Sequence, residues 1–527
     1  MWMPFGEGQS MILSIRASRR RGAALVAVTL AAVGLSSCAV ANSGSSGPAS
    51  PSTVRIVLPQ EPPTLEPCDS SLTSTGVVVR SNITQPLVER DPTSGKLEPL
   101  LATGWRQVSG TTWRFTLRPG VTFSDGTPFD AKAAAFAIDR VLTTSLGCNV
   151  QGYVFGDAKL TTEVVDANTL DVSTAEPDPI LPLRLSFVEI VPPSTGTAKK
   201  ARVPIGTGPY QVARWDAGEK LVLTRNPKYW DQAPSFQTAE YQWRDEGSVR
   251  AAMVTNGEAD VVTNLSPEDG AGDLGVTFPN NETTALRITG TYAPLNDLRV
   301  RQAINYAIDR ASIVKALFEG DAIVAAQLVP DGVVGHDPQL QPWPYDPDKA
   351  RKLIAEAKAD GVPTDTRIRL ISRNGLFPKV DIVMQVVQQE LAEIGLNAKI
   401  EMFDTAASLP YQVRPFPAKT GPYVMLVQHG NQAGDTAFSV DQYMVSDGAQ
   451  STFGTPALDA RIAAAGRLQG QARQDAYARI FTTEPTEIGQ FAYIAHMTGV
   501  LGKGADIDYE PDSATGDEMH LADMSRK

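Results

Sequence analysis

The residues that could carry out chemistry are scattered, and their spacing forms no known catalytic or metal-binding motif. The sequence contains no His-Glu-x-x-His, no Gly-x-Ser-x-Gly, no Gly-Lys-Ser/Thr phosphate loop and no Gly-x-Gly-x-x-Gly that opens a helix. The carboxylates are plentiful but lie mostly on predicted solvated helix faces, and no two of them form an evident glycosidase pair. The four histidines lack the i, i+4 spacing of a metal pair: His336, His429, His496 and His520. We therefore predict no enzyme, no metal site and no cofactor.

Asp435 is the most interesting single carboxylate. It ends the Gly-rich segment 428–435, which follows a predicted buried strand at 423–427. An aspartate on such a loop can face a cleft and bind an ammonium group, although a turn-forming aspartate is the alternative. Arg373 and Asn374 follow the predicted strand 368–371 in the same way, and an arginine there can hold a carboxylate bidentately. His429 is a further candidate for ligand contact, with a packed or surface histidine as the alternative.

Strand and helix signals alternate along the chain and predict a mixed α/β architecture. Residues 113–117 alternate Trp, Phe and Leu with Arg and Thr, which is typical of a half-buried strand. Apolar residues recur at helical spacing in 131–142, 300–308 and 380–394. Asp346-Pro347 supplies a helix start for 348–359, and Gly395 supplies a helix end before a predicted strand at 396–402.

Length and charge limit the function classes. A chain of 527 residues is too long for one core, since a domain usually takes about 100–200 residues. The composition is 42% hydrophobic and 20% charged, which is typical of globular proteins. The net charge of −12 argues against a basic surface for nucleic acid or anionic lipid, and we predict no nucleic-acid partner.

Residues 1–37 are predicted to be an export signal. Arg16, Arg19, Arg20 and Arg21 precede a 13-residue apolar run from about residue 23 to 35, which is too short to span a bilayer. Leu35-Ser36-Ser37-Cys38 resembles the bacterial lipobox, whose cysteine is diacylated and holds the protein to the membrane. An ordinary cleaved signal with a chance cysteine is the alternative, and the export route, Sec or Tat, stays open.

The uncharged, Ser-, Gly- and Pro-rich residues 38–53 are predicted to form a flexible tether. Removal of 1–37 takes away four Arg and one Glu and leaves a net charge of −15 on the exported part. Two further cysteines remain, Cys68 and Cys148. Outside the cell they could pair and close a loop of about 80 residues, or stay as two buried thiols.

Three groups of motifs together resemble one protein family, the family 5 extracellular solute-binding proteins. These are oligopeptide-, dipeptide- and nickel-binding lipoproteins of ABC importers, and the likeness covers essentially the whole exported chain. The motifs are LEPLLA at 97–102 with LRPGVTFSDGTPF at 117–129, GTGPY at 206–210 with RNPKYW at 225–230, and NDLRVRQAINYAIDR at 296–310 with YDPDKA at 345–350.

The resemblance implies a type II periplasmic-binding-protein-like fold, with two α/β lobes joined by two hinge strands and an extra subdomain. We assign 54–290 and 491–527 to lobe I, about 82–205 to the inserted subdomain and 291–490 to lobe II. The crossings between the lobes are expected near 284–296 and 488–497. In this family the ligand lies between the lobes, and closure buries it.

The resemblance also implies site residues. Peptide-binding relatives hold the ligand's amino group with an aspartate that Asp435 matches, although Thr436 stands where they have proline. Arg373 is a weaker match to their carboxylate-binding residue, and Thr64 and Leu65 match the cleft edge of the first lobe.

We therefore expect a monomeric extracytoplasmic lipoprotein that captures oligopeptides or dipeptides for an ABC permease and its ATPases. Within the family, a chelated metal such as nickel, haem, an opine or an oligosaccharide is the alternative ligand, and His429 makes nickel worth testing. Outside this class, the alternatives are a secreted hydrolase and a sensor lipoprotein. The ligand, the peptide length and the permease are not determined by the sequence.

Overall fold

The computed structural model describes residues 50–156, 158–318, 322–514 and 518–527. The predicted signal 1–37 and Cys38 lie outside the described residues, as does the predicted tether up to residue 49. Across the described ranges, no helix combines the length and the apolar character needed to cross a membrane.

Helices and strands alternate along the described chain, as the sequence predicts. The strands are β1 Thr53–Leu58, β2 Val88–Arg90, β3 Leu97–Pro99, β4 Ala102–Gln107, β5 Thr112–Leu117, β6 Leu160–Asp166, β7 Thr169–Thr174, β8 Tyr210–Asp216, β9 Lys220–Arg225, β10 Thr238–Trp243, β11 Val261–Val262, β12 Gly275–Ile288, β13 Ile323–Val324, β14 Ile368–Arg373, β15 Ala398–Phe403, β16 Tyr423–Gly430, β17 Phe491–Lys503, β18 Ile507–Asp508 and β19 Ser525–Arg526. The helices are α1 Thr73–Val79, α2 Ala131–Val141, α3 Leu181–Leu185, α4 Gly247–Thr255, α5 Leu298–Ala307, α6 Arg310–Leu317, α7 Pro347–Ala359, α8 Val380–Glu393, α9 Thr405–Gln412, α10 Thr436–Tyr443, α11 Pro456–Gly466 and α12 Gly470–Glu487.

Local capping explains where several of these helices begin and end. The Asp346 side chain accepts a hydrogen bond from the Lys349 N–H, and Pro347 occupies the first position of α7. Gly395 has a φ of +90°, which side chains rarely adopt, and it separates α8 from β15. The predicted helices at 131–142, 300–308, 348–359 and 380–394 are confirmed within a few residues by α2, α5, α7 and α8.

One large sheet runs through both halves of the molecule in the order β15-β14-β16-β12-β17-β11-β1-β10-β9-β8, with β13 beside β17. We call the half built on β1 and β8–β11 lobe I, and the half built on β14–β16 lobe II. The parallel pairs β1–β10, β1–β11, β14–β15 and β14–β16 form the centre of each half. This is the two-lobed α/β fold expected from the sequence.

The two longest strands, β12 and β17, join the lobes. In lobe I, the end of β17 pairs with β11, and in lobe II residues 282–288 of β12 pair with β16. The ladder between β12 and β17 is interrupted between the pairs Pro279–Thr498 and Thr283–His496. Strand pairing therefore passes from one lobe to the other over a few residues, a geometry that suits a hinge.

A separate subdomain, here called the insertion, follows α1 in lobe I. It contains the four-stranded antiparallel sheet β4-β5-β7-β6, the hairpin β2–β3 and α2. Cys68 and Cys148 form a disulfide between lobe I and the insertion. Beside it, the buried Arg140 guanidinium donates to both carboxylate oxygens of Glu66, at 2.7 and 2.9 Å. A covalent bond and a buried ion pair thus fix the insertion to lobe I.

Lobe II contacts the insertion through the first turn of α10. Phe438 is 3% exposed and belongs to the hydrophobic core of the insertion rather than to the core of its own lobe. Its ring centroid lies 5.9 Å from that of Phe187 and 6.3 Å from that of Tyr153, and the Arg184 guanidinium stacks 4.9 Å above it. Lys379 of lobe II also forms an ion pair with Glu268 of lobe I. The lobes are therefore in direct contact.

Substitution of Phe438 is expected to weaken the closed arrangement of the lobes. Phe438→Ala removes the aromatic group that lobe II places in the insertion, and loss of a buried phenylalanine side chain costs about 3–5 kcal/mol. We expect a larger radius of gyration for the ligand-free variant in small-angle X-ray scattering.

The matched control is Phe318→Ala, which truncates a buried phenylalanine inside lobe II against Phe377. This variant should unfold more easily while its radius of gyration stays that of the parent protein. An unchanged radius for Phe438→Ala would show that Phe438 does not hold the lobes together.

Candidate functional site

A cavity of about 400 Å³ lies between the insertion and lobe II, and we call it the interlobe cavity. The insertion contributes one wall from β3, β4, β5 and the start of α3, and lobe II contributes the other from the segments 433–435 and 468–473. Its lining residues are Arg90, Gly95, Leu97, Trp105, Trp113, Pro179, Ile180, Pro182, Leu183, Val334, Ala433, Gly434, Asp435, Leu468, Gln469, Gly470 and Arg473. The lining is mainly apolar.

Strand register explains why two tryptophans face this cavity. Trp105 lies opposite Phe115 in the β4–β5 ladder, and Trp113 lies two residues before Phe115, so all three side chains share one face. Phe115 is fully buried in the insertion, whereas Trp105 and Trp113 remain partly exposed near the end of the sheet. The Trp113 indole N–H donates to the Asp178 carbonyl at 3.1 Å, which holds that ring in place.

Asp435 and Arg473 form a buried ion pair at the lobe II wall. Arg473 Nη2 donates to Asp435 Oδ1 at 2.7 Å, and Arg473 Nε donates to Asp435 Oδ2 at 2.8 Å. Asp435 Oδ1 also accepts from the Ala437 N–H, so the carboxylate begins helix α10. Burial alone lowers the pKa of the Arg473 guanidinium, but the hydrogen bonds to Asp435 hold it above its ordinary value. Each charge of the pair therefore neutralises the other.

The cavity wall depends on a glycine beside Arg90. Arg90 Nη1 of the insertion donates to the Gln432 carbonyl of lobe II, and Arg90 Nε donates to the Gly95 carbonyl at 3.1 Å. Gly434 has a φ of +70°, and a Cβ atom there would collide with the Arg90 guanidinium. Glycine thus permits the close approach of the two walls.

Arg373 and Asn374 lie at the end of β14 and do not line the interlobe cavity. Arg373 is half-buried, whereas Asn374 is exposed and its N–H donates to the Phe403 carbonyl at 2.8 Å. Burial raises the pKa of Glu282 on the hinge strand β12 to about 7, and the nearby Arg373 opposes this rise. Arg373 therefore favours the ionised form of Glu282 near the crossing between the lobes, against the effect of burial.

His429 faces the protein interior. It is 5% exposed, its Nε2 is hydrogen-bonded to Ser439 Oγ at 2.7 Å, and its ring packs edge-on against Tyr443. Burial lowers the pKa of the imidazole to about 3, so the ring is neutral at physiological pH. This placement does not favour contact between His429 and a ligand.

Thr64 and Leu65 lie just before the buried Glu66. Thr64 is partly exposed, and its hydroxyl accepts from the Glu66 N–H at 2.9 Å. Leu65 is fully buried in the lobe I core, so its side chain is not available at a surface. The turn that contains Thr64 and Leu65 therefore positions the Glu66–Arg140 pair.

Within the described ranges, one group of side chains has the composition of a metal site. Ligand atoms of Asp512, Glu518 and His520 lie within 4.8 Å of one another. Glu518 is, however, paired with Arg80 at 2.6 Å and with His520 at 3.1 Å. Burial alone would raise the pKa of Glu518, but the charges of Arg80 and His520 outweigh burial and lower this pKa from its ordinary value to about 2. Burial lowers the pKa of His520, but Asp512 and its neighbours raise it well above its ordinary value. The group is an ion cluster in which His520 carries the proton.

Among the residues that line the interlobe cavity, Asp435 could be singled out from the sequence, whereas Arg473 and Trp105 could not. Glu282, on the strand β12 that joins the lobes, could not be singled out either. The alternation in 113–117 indicates which face of β5 is apolar, but it does not show that the face extends beyond the core at Trp113. The partner of Asp435 lies 38 residues further along, on a helix without local signs of an ion pair. The two charges are brought together by tertiary packing, in which α11 contacts both α10 and α12.

Comparison with known proteins agrees with this architecture. Residues 96–452 match the family described as bacterial extracellular solute-binding proteins, family 5. The chain is 31% identical over 361 residues to the glutathione-binding protein GsiB of Salmonella paratyphi A, which covers 65% of this chain and 67% of that protein.

Two solved structures share the fold. DppA from Helicobacter pylori, in complex with the peptide STSA, has a TM-score of 0.77 and 19% identity over 90% of this chain and 98% of its own. NikZ from Campylobacter jejuni, in complex with Ni(L-His), has a TM-score of 0.76 and 20% identity over 91% and 100%. The chain belongs to the bacterial extracellular solute-binding proteins of family 5, which act outside the cytoplasm together with ABC-transporter permeases.

Proposed function

We propose that this protein is a membrane-anchored receptor that captures short peptides between its lobes and delivers them to the permease of an ABC importer. The observation that carries the proposal is the interlobe cavity, to which the insertion of lobe I and the segments 433–435 and 468–473 of lobe II both contribute. A ligand in such a cavity contacts both lobes and stabilises their closed arrangement.

The size and chemistry of the cavity favour a small peptide. Its volume of about 400 Å³ lies in the range of about 300–1,000 Å³ of small-molecule sites. A peptide combines an ammonium group, hydrogen-bonding main chain and apolar side chains, and main-chain pairing supports affinity without reading every side chain. The relative GsiB is named for glutathione, and the DppA structure contains a peptide, which supports the same ligand class.

In this proposal Asp435 contacts the amino group of the peptide without leaving Arg473. A carboxylate has about four lone-pair positions, and Asp435 uses three of them for Arg473 and the Ala437 N–H. One position remains for an ammonium donor at the cavity wall. Arg373 does not line the interlobe cavity, so its proposed contact with the carboxylate end requires a peptide that extends beyond the cavity towards the crossing between the lobes.

Short peptides are expected to stabilise the purified protein. A ligand at 100 times its Kd raises the free energy of unfolding by about 2.7 kcal/mol. A panel of dipeptides to tetrapeptides is to be tested by thermal unfolding and by isothermal titration calorimetry. Nickel with free histidine serves as the comparison, because the placement of His429 does not favour it. If no peptide changes the melting temperature, the assignment to peptides is wrong, while membership of the family is unaffected.

Replacement of Asp435 is expected to affect both stability and recognition of the ligand's amino group. Asp435→Asn keeps a good helix-capping side chain but leaves Arg473 as a buried unpaired cation. We expect a loss of about 3–5 kcal/mol in the free energy of unfolding, measured with urea. Peptides with a free amino group should lose more affinity than their N-acetylated forms.

The control for Asp435→Asn is Glu487→Gln, which breaks the exposed ion pair between Glu487 and Arg461. Exposed pairs contribute about 0–1 kcal/mol, so this variant should resemble the parent protein. If Asp435→Asn weakens both kinds of peptide equally, Asp435 organises α10 but does not contact the amino group.

The proposed membrane anchor depends on Cys38. Cys38→Ala removes the thiol that would be acylated, and two acyl chains provide the hydrophobic area that holds such a protein to a bilayer. We expect the variant to lose incorporated palmitate after metabolic labelling and to move from the membrane fraction to the soluble fraction. Retention of label in Cys38→Ala would contradict acylation at this cysteine.

A further inference from the structure

We propose that the interlobe cavity is the subsite for the first side chain of the bound peptide, and that it selects apolar side chains, above all aromatic ones. This inference rests on the function proposed above and specifies the ligand class of the same site. It follows from three features of the cavity: its apolar walls, its paired charges and the position of Asp435 in its wall.

The walls contain several large apolar side chains that the protein does not bury completely. Trp105, Trp113, Leu97, Ile180 and Leu183 belong to the insertion and are partly exposed, and Leu468 of lobe II is 37% exposed. Apolar surface gains free energy when it leaves water, and these side chains face one another across a gap without a protein group to fill it. The group best suited to fill the gap is an apolar side chain of the ligand.

The charges at the cavity do not favour an ionised side chain. Asp435 and Arg473 neutralise each other through two hydrogen bonds, and Arg90 donates to two carbonyl groups. Arg90 also lies close enough to Glu518 to lower the pKa of that carboxyl group. Because the remaining position at Asp435 is assigned to the peptide's own amino group, a lysine side chain would lose its hydration here without a further partner of opposite charge, which is costly. A glutamate side chain would find the guanidinium groups of Arg90 and Arg473 already donating to carbonyl and carboxylate oxygens.

The position of Asp435 assigns the cavity to the first residue of the peptide. The carboxylate that is proposed to contact the amino group is itself part of the cavity wall. In a peptide, the first side chain is attached to the same carbon atom as the amino group, so it is the side chain that must enter the adjacent space. Two partly exposed indoles can stack against or pack edge-on to an aromatic ring there.

The experiment uses a series of tripeptides X-Ala-Ala, in which X is Ala, Leu, Phe, Lys or Glu, and measures Kd by isothermal titration calorimetry on the whole exported protein. We expect Phe-Ala-Ala to bind roughly 10-fold to 100-fold more tightly than Ala-Ala-Ala, with Leu-Ala-Ala between them. Lys-Ala-Ala and Glu-Ala-Ala should bind no more tightly than Ala-Ala-Ala.

Two variants test whether the preference arises in this cavity. Trp113→Ala should reduce the ratio of affinities for Phe-Ala-Ala and Ala-Ala-Ala towards one. Leu468→Asp changes a side chain that is already 37% exposed and should fold even if Trp113→Ala does not. It places a carboxylate in the cavity and should shift the preference from Phe-Ala-Ala to Lys-Ala-Ala.

Trp215→Ala is the control, because Trp215 lies on β8 of lobe I, where its indole N–H donates to Glu61, and it does not line the cavity. It should keep the ratio of the parent protein. Binding of all five tripeptides with similar Kd, or a ratio unchanged by Trp113→Ala and Leu468→Asp, would overturn the subsite while the proposed function stands. Binding of none of them, or of any other short peptide, would overturn the proposed function itself.

Discussion

The buried ion pair between Asp435 and Arg473 determines the position of the lobe II segment that meets the insertion. Asp435 also begins α10, so the pair fixes both the direction of that helix and the loop before it. Phe438 follows in the first turn of α10 and enters the hydrophobic core of the insertion. One short segment therefore contributes to the cavity wall, starts the helix and makes an apolar contact between the lobes. A substitution at Asp435 therefore affects the cavity wall, the start of α10 and the apolar contact of Phe438.

This arrangement requires an insertion that does not move independently of lobe I. The buried Glu66–Arg140 pair and the disulfide between Cys68 and Cys148 supply that constraint, since they join the insertion to lobe I beside its first helix. Any movement between the lobes is then expected where β12 and β17 change partners. An insertion fixed to lobe I and a local hinge would let lobe II close against a wall of fixed shape, a geometry that suits selection of ligands by size and polarity.

The sequence predicts the parts of this structure that depend on neighbouring residues. The start of α7 at Asp346 and the end of α8 at Gly395 follow from capping and from glycine's backbone freedom, and the family motifs predict the lobes. The loop that contains Asp435 follows from the strand before it. The partner Arg473 could not be predicted, because an ion pair across 38 residues leaves no local pattern. The alternation around Trp113 likewise shows a face of a strand but not whether protein or ligand covers it.

The combination of a neutral ion pair and apolar walls limits how a ligand can bind. A ligand amine that displaced Arg473 would leave a buried guanidinium without its carboxylate, and that loss would exceed the gain from the new contact. In the proposed mode of binding the amine therefore approaches Asp435 with the pair intact, at the one carboxylate position that Arg473 and the Ala437 N–H do not use. An amine held in this way would also fix the carbon atom beside it, so the proposal places the first side chain of the ligand in the space bounded by Trp105 and Trp113. In the proposed function, the ion pair would thus orient the ligand, while the apolar walls would discriminate between ligands.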